Sequence, residues 1–404
     1  MRARPARLLT ALVLAAAALM PPVRTAAQAD DGGLLDPSQL HDIQLVINTR
    51  DVERLREGYL DNRFYAADVQ WRDTRVRNAA VRSRGGGSRN PVKLGLLLEF
   101  DRYVTGQRFA GRRALVLDNL WQDPSMIRER VAMALYERLG QLAPRESFAR
   151  LFINGDYQGV YAIVENVDED FITRATGSPP AQLYEYHWLR PYYFEDLGGD
   201  LSTYADVFEA RSNTRASDRE LYEPLRNMLR AINGAADGVW RDEVSAHVDL
   251  EQVVTSVAIG TFMSEWDDVL GYAGVNNIYL YRAAGSTQHQ FVPWDRDNAF
   301  HDDDPGIFRR VHENELLRRA LTYPDLYVLY LDTLERAAQS ASENGWLERE
   351  MRAAAGLIET AAAEDPRAPY PSGKREEDLQ FLFEFAKRRP QDVLNQVASA
   401  RAAQ

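Results

Sequence analysis

Few two-residue sequences commit a chain as firmly as Asn154-Gly155, because a two-residue β-hairpin turn needs positive φ at both central positions and this pair supplies it at least cost. It separates an apolar run at 149–153 from a second one at about 157–164, so an antiparallel hairpin is expected there. Upstream, 43–47, 67–71, 79–84 and 95–100 read as further strands, rich in β-branched or alternating apolar residues. Beyond Val164-Glu165-Asn166-Val167-Asp168 the pattern changes. Residues 218–232 and 249–265 carry apolar positions at helical spacing, the second behind an Asp249 N-cap, and the chain from about 313 onwards is helical and charged. The sequence therefore predicts an α+β chain with a β-rich amino-terminal lobe over 30–165 and a mainly helical lobe over 166–404.

One helix interrupts the β-rich part. Asp123-Pro124-Ser125 offers an N-cap and a first-turn proline, Ile127, Val131, Leu135 and Leu139 recur four apart, and Gly140 ends the run. Arg128, Glu129 and Arg130 fall off that apolar stripe, where a charge is solvated by default, although Glu129 can also face an opposing lysine. Residues 170–215 hold Tyr184, Tyr186, His187, Trp188, Tyr192, Tyr193 and Phe194, a density that reads as packing beneath a long loop.

Residues 1–29 have the layout of a secretory signal: Arg2, Arg4 and Arg7, an apolar run over 8–20, then Ala27-Gln28-Ala29. The expectation is an exported chain, periplasmic or extracellular, beginning near Asp30. That run falls short of the roughly 20 residues a spanning helix needs, so no stable membrane insertion is expected. The chain has no cysteine, and its stability must come from a packed core rather than disulfides. Loss of the four arginines in the signal takes the formal charge from −12 to −16, which disfavours nucleic acid or anionic membrane as a partner. The six histidines show no close pairing of the zinc-site kind.

The chemistry concentrates late in the chain. Two strand candidates, 277–281 and 291–295, flank a Gly285-Ser286 loop, and in an antiparallel ribbon Asn277 and Asp295 share one end. Asp267 precedes the first strand and can reach the same point, while Asp297 follows two residues after Asp295. Carboxylates and an amide around one point are the oxygen ligands that Mg²⁺ prefers when it is held jointly by protein and phosphate. A loop Asp, an Asn, a hairpin and then a metal-binding Asp is also the order of parts in protein kinases. The first half supplies the complementary parts: a glycine-rich turn, Arg84-Gly85-Gly86-Gly87-Ser88, whose backbone can approach phosphates; then Lys93; then Glu129 to position it by an ion pair. Glu165 and Val167 fall where an adenine would bridge the lobes.

In this order, 103–111 (Tyr-Val-Thr-Gly-Gln-Arg-Phe-Ala-Gly), Ile127-Arg128-Glu129, Ile153-Asn154-Gly155 with Gly159-Val160-Tyr161, 164–168, Trp266-Asp267, 277–281 and Pro293-Trp294-Asp295-Arg296-Asp297 resemble the CotH (spore coat protein H) kinase family. The resemblance covers about 40–305. It implies an atypical kinase fold that transfers the ATP γ-phosphate to Ser or Thr hydroxyls of proteins, with Mg²⁺ or Mn²⁺. By carry-over, Asp267 is the catalytic-loop Asp, Asn277 a metal ligand and Asp295 the principal metal-binding Asp. Lys93 with Glu129 is the phosphate-positioning pair, with Arg82 or Arg84 as replacements for Lys93. Three departures stand out: Asn276 occupies a position where the family often has His, the spacing from Asp267 to Asn277 is about two residues longer than the resemblance implies, and the glycine turn reads Arg-Gly-Gly-Gly-Ser. An exported binding module with a kinase-like fold and no phosphotransfer is the main alternative. A metal-dependent phosphoesterase ranks behind it, and no Gly-x-Ser-x-Gly elbow supports a serine hydrolase.

Overall fold

A computed structural model describes residues 32–301, 305–371 and 373–403; the signal-like segment 1–29 lies outside the described residues. Strand β1 (Leu40–Ile47) is followed by α1 (Thr49–Glu57), then β2 (Tyr65–Trp71), β3 (Thr74–Ser83), β4 (Leu96–Glu99), β5 (Ala114–Asp118), α2 (Arg128–Arg138), β6 (Glu146–Ile153) and β7 (Asp156–Glu165). The seven strands close into a barrel in the order β1-β2-β3-β4-β5-β7-β6. All pairs are antiparallel except β1 with β6, which run parallel and seal the barrel.

Asn154 makes that closure specific. It and Gly155 hold the positive φ values, 53° and 87°, expected of the turn between β6 and β7. Its side chain also reaches across to β1, accepting from the Ile47 N–H at 2.9 Å and donating to the Ile47 carbonyl at 2.8 Å. Alternate residues fill the interior with Leu45, Val69, Val81, Leu98, Leu117 and Leu151.

Helix α2 begins later than the Asp123 cap suggested. Asp123 instead accepts from the Ser125 N–H and hydroxyl and from the Arg128 N–H, and Met126 takes a φ of 65° that no helix tolerates. The solvated reading of 128–130 is corrected as well: Arg128, Glu129 and Arg130 are all buried, because later helices cover this side of α2. Arg128 donates to the carbonyls of Ala299 and Phe300 and forks onto Asp378, both oxygens at 2.8 Å, while Arg130 pairs with Glu350.

The remainder runs α3 (Glu169–Thr176), β8 (Pro180–Tyr186), α4 (Leu201–Val207), β9 (Phe208–Ala210), α5 (Asp218–Gly234), α6 (Trp240–Ser245), α7 (Leu250–Phe262), β10 (Ile278–Ala283), β11 (His289–Pro293), α8 (Glu315–Ala320), α9 (Pro324–Ser342), α10 (Trp346–Ala363) and α11 (Lys374–Ala402). Four strands form a second, antiparallel sheet in the order β11-β10-β8-β9, making the chain α+β. Helix α5 starts from a Ser217–Glu220 capping box and α7 from the expected Asp249 cap. The 170–215 segment is not one long loop, since α3, β8, α4 and β9 lie within it, but Tyr184, Tyr186, Tyr192 and Phe194 are buried. One continuous core joins the outer face of the barrel, α2, the second sheet and the carboxy-terminal helices. Among the described residues no helix is long and apolar enough to cross a membrane.

Candidate functional site

A cleft of about 600 Å³ lies between the turn after β3 and the second sheet, within the usual range for small-molecule sites. The β10–β11 ribbon shapes its acidic wall. Ile278 pairs with Pro293, and the Trp294 N–H donates to the Asn277 carbonyl, so Asn277 and Asp295 flank one end of the ribbon as its register requires. Both adopt left-handed backbone, φ 54° and 53°, a conformation that Asn and Asp tolerate better than other side chains do.

Asp267 reaches this end from the loop after α7. The Asn276 amide donates to both of its carboxylate oxygens, at 3.1 and 3.2 Å. The Asn277 amide nitrogen donates to its carbonyl at 3.0 Å and to Oδ2 at 3.2 Å. Asn276, where the family often has His, thus serves as a clamp on Asp267. Asp297 is held by Asn298, itself fixed by the Trp266 indole N–H. Arg296, between the two aspartates, turns the opposite way into the core beside Tyr136, Glu265 and Asp268.

Carboxyl groups crowd the acidic wall and the core behind it. Burial, with Asp118 nearby, pushes the Asp295 carboxyl up to about 6. Asp297 is raised well above the usual range, first by burial and then by Asp295. Glu129 and Glu146 are raised likewise, by burial and, for Glu129, by Glu146 and Asp295. Opposite stand Arg82, Arg84 and Arg89 with the glycine turn. Burial and the neighbouring Arg84 lower Arg82 to about 10, with Arg89 adding to the crowding of positive charge. Arg84 lies on the Trp294 ring, 4.6 Å from its centroid. Burial works against its charge, but Tyr279, Glu185 and Asp295 keep it protonated. The turn itself is pinned: Arg89 donates to the Gly85 and Leu60 carbonyls and to Asn62, and Asn119 holds the Ser88 carbonyl. Gly85 has a φ of 121°, and a Cβ there would sit 2.6 Å from the Ser88 hydroxyl.

Of the residues expected from sequence, Arg84, Gly85, Gly86, Ser88, Asp267, Asn277, Asp295 and Asp297 line this one cleft. Four others do not. Lys93 is wholly buried and pairs with Asp365 at 2.7 Å, not with Glu129, because the loop after α10 brings that carboxylate against the barrel. Glu129 sits among carboxyls instead of beside an ammonium. Glu165 is enclosed by Arg112 and Arg174, and Val167 is core, so neither presents an edge to a base. Sequence reasoning missed Arg89, Asp118, Gln122, Glu185, His187, Glu209 and Arg211. For Glu185 and His187 a signal existed, since Tyr184-Glu185-Tyr186-His187 alternates as a half-buried strand does.

The donor set suits a hard divalent cation: Asp295 and Asp297 carboxylates, and the Asn277 amide oxygen, which is left facing away when its nitrogen binds Asp267. A cation there would also stabilise the carboxylate charge that burial disfavours.

The chain is similar to several known proteins. The inner spore coat protein H of Bacillus subtilis is 25% identical over 356 residues, covering 86% of this chain and 95% of its own length. The invasin CotH3 of Rhizopus delemar is 26% identical over 200 residues, 47% of this chain, and this chain spans only about a third of that protein. Among solved structures, the Helicobacter pylori proinflammatory kinase CtkA aligns over 76% of this chain and 93% of its own with a TM-score of 0.33 and 11% identity. The family model described as CotH kinase protein matches residues 81–393, and the chain belongs to that family.

Proposed function

We propose that this chain is an exported, two-lobed phosphotransferase that moves the γ-phosphate of ATP to Ser or Thr hydroxyls of other exported proteins. The barrel acts as the amino-terminal lobe, over 30–165, and the second sheet with its helices as the carboxy-terminal lobe, over 166–404. The observation that carries the reading is the polarity of the cleft, with an arginine and glycine wall facing an aspartate and asparagine wall. One wall suits a polyphosphate and the other the cation that accompanies it. Export rests on the 1–29 segment.

Within this reading Arg84 and the 84–88 turn hold the phosphates, with Arg82 and Arg89 adding positive charge. Asp295, Asp297 and Asn277 would hold Mg²⁺ or Mn²⁺, which supplies neutralisation of the phosphate charge. Asp267, fixed by Asn276 and Asn277, accepts the proton of the acceptor hydroxyl as its oxygen bonds to the γ-phosphorus and the bond to the β-phosphate oxygen breaks. Arg84 takes the role first expected of Lys93. Radiolabelled γ-phosphate transfer by the purified chain with Mg²⁺ or Mn²⁺ tests this, beside Asp267→Asn and Asp295→Ala. Transfer lost in both variants supports the reading; clear nucleotide binding with no transfer by the native chain replaces it with a binding module of the same fold.

A further inference from the structure

One group of side chains in the cleft has no part in the chemistry above. Glu185 on β8 and Glu209 on β9 are directly opposed across the strands, and His187 lies two residues beyond Glu185 on the same face. Their ligand-type atoms lie within 4.8 Å of one another, a spacing that also suits a metal. Arg211 already provides the cation: its guanidinium meets Glu185 at 2.9 Å and Glu209 at 2.9 Å. His187 Nε2 is turned onto Glu209 at 3.1 Å. Arg211 and His187 Nε2 thus hold the two carboxylates, while each carboxylate oxygen keeps lone pairs to spare. The outcome is a held pair of carboxylates able to accept further hydrogen bonds.

Its distance from the acidic wall follows from the sheet register. Val292 pairs with Tyr279, Tyr279 with Glu185, and Glu185 with Glu209. Strand spacing of about 4.8 Å puts Glu185 roughly 10 Å and Glu209 roughly 14 Å across the sheet from Val292, and Asp295 follows just past the end of β11 at Pro293. That span is within the reach of a nucleoside triphosphate from its terminal phosphate to the far edge of its base. Arg84 lies between, under the influence of both Glu185 and Asp295.

We infer that Glu185 and Glu209, held by Arg211 and His187, form the base-recognition end of the cleft and select a nucleotide whose base presents an amino group there, as adenine does, over one presenting a keto oxygen. This rests on the phosphotransferase reading and adds donor specificity to it. An exocyclic amine donates to the carboxylates, whereas a keto oxygen sets lone pair against lone pair in a partly desolvated site.

Calorimetric titration of the full chain with ATP, ITP and tripolyphosphate, in the presence of Mg²⁺, tests the assignment. ITP carries a keto oxygen in place of the 6-amino group and a hydrogen on N1, and tripolyphosphate has no base. The native chain should bind ATP about tenfold or more tighter than ITP. Glu185→Gln and Glu209→Gln should each bring the two within about threefold, and Glu209→Gln, whose carboxylate is not among the groups acting on Arg84, should leave tripolyphosphate affinity unchanged. Glu209 is the more exposed, so its variant keeps the test intact if Glu185→Gln folds poorly. Equal ATP and ITP affinities in the native chain, or a ratio unmoved in both folded variants, overturns the inference and leaves the phosphotransferase reading standing. Binding of neither ATP nor tripolyphosphate overturns both.

Discussion

Replacing Lys93 with methionine separates a lysine that serves phosphate from one that serves the fold. Its ammonium and the Asp365 carboxylate have no solvent exposure, lie 2.7 Å apart, and sit 272 residues apart in sequence. Burial pulls the Lys93 pKa down and Asp365 pushes it back, so the charge depends on that partner. Removing one member of a buried pair costs about 3–5 kcal/mol because the other is left without a counter-charge. Asp365 would keep the Val160 and Arg367 N–H groups, at 3.0 and 2.8 Å, which places the expected loss near the lower end, about 3 kcal/mol. At about 2–4 °C per kcal/mol, the melting temperature should fall by about 6–12 °C. The double variant Lys93→Met with Asp365→Leu should recover most of it, since neither charge is then orphaned. Thermal denaturation with and without Mg-ATP reads both quantities, and the nucleotide-induced shift should be the same in Lys93→Met as in the native chain. A Lys93→Met protein with native melting temperature and no nucleotide-induced shift would refute the reasoning and return Lys93 to the cleft.

Two other expectations follow from the same structure. Arg84→Ala should weaken tripolyphosphate binding by about 10- to 100-fold in titration calorimetry, the range for a hydrogen bond to a charged group, and Arg84→Lys should restore only part of it because the planar fork is lost. His289 is buried with Nδ1 3.0 Å from the His247 carbonyl, and burial holds it down at about 4 against about 6.5 when unfolded. The unfolded chain therefore binds more protons between these values: its contribution is intact above about pH 6.5 and is lost as pH falls towards 4, by up to about 3 kcal/mol. Urea denaturation across that window should show a shallower acid loss in His289→Gln, and an identical slope would count against it.

What could be read from sequence was what local chemistry decides. Asn154-Gly155 fixes its hairpin, Asp249 starts its helix, and the 277–295 ribbon brings its polar ends together because antiparallel register leaves no choice. What escaped depends on chain distant in sequence. Nothing near Lys93 reveals Asp365, and Glu165 gave no sign that Arg112 and Arg174 would enclose it. Charges on α2 looked solvated because the helices that cover them come more than 200 residues later. Residue type and order favoured the one lysine in its segment, while the arginine beside the glycine turn had the position.

Helix α2 is fastened along its length. Arg128 holds it to α11 and to the 299–300 carbonyls, Arg130 ties it to α10, and Arg138 reaches Glu343 and the Trp346 ring. Asp365 bolts the same carboxy-terminal segment to the barrel. Displacing α2 from the carboxy-terminal helices would therefore break ion pairs that are largely buried, at a cost that surface pairs do not carry.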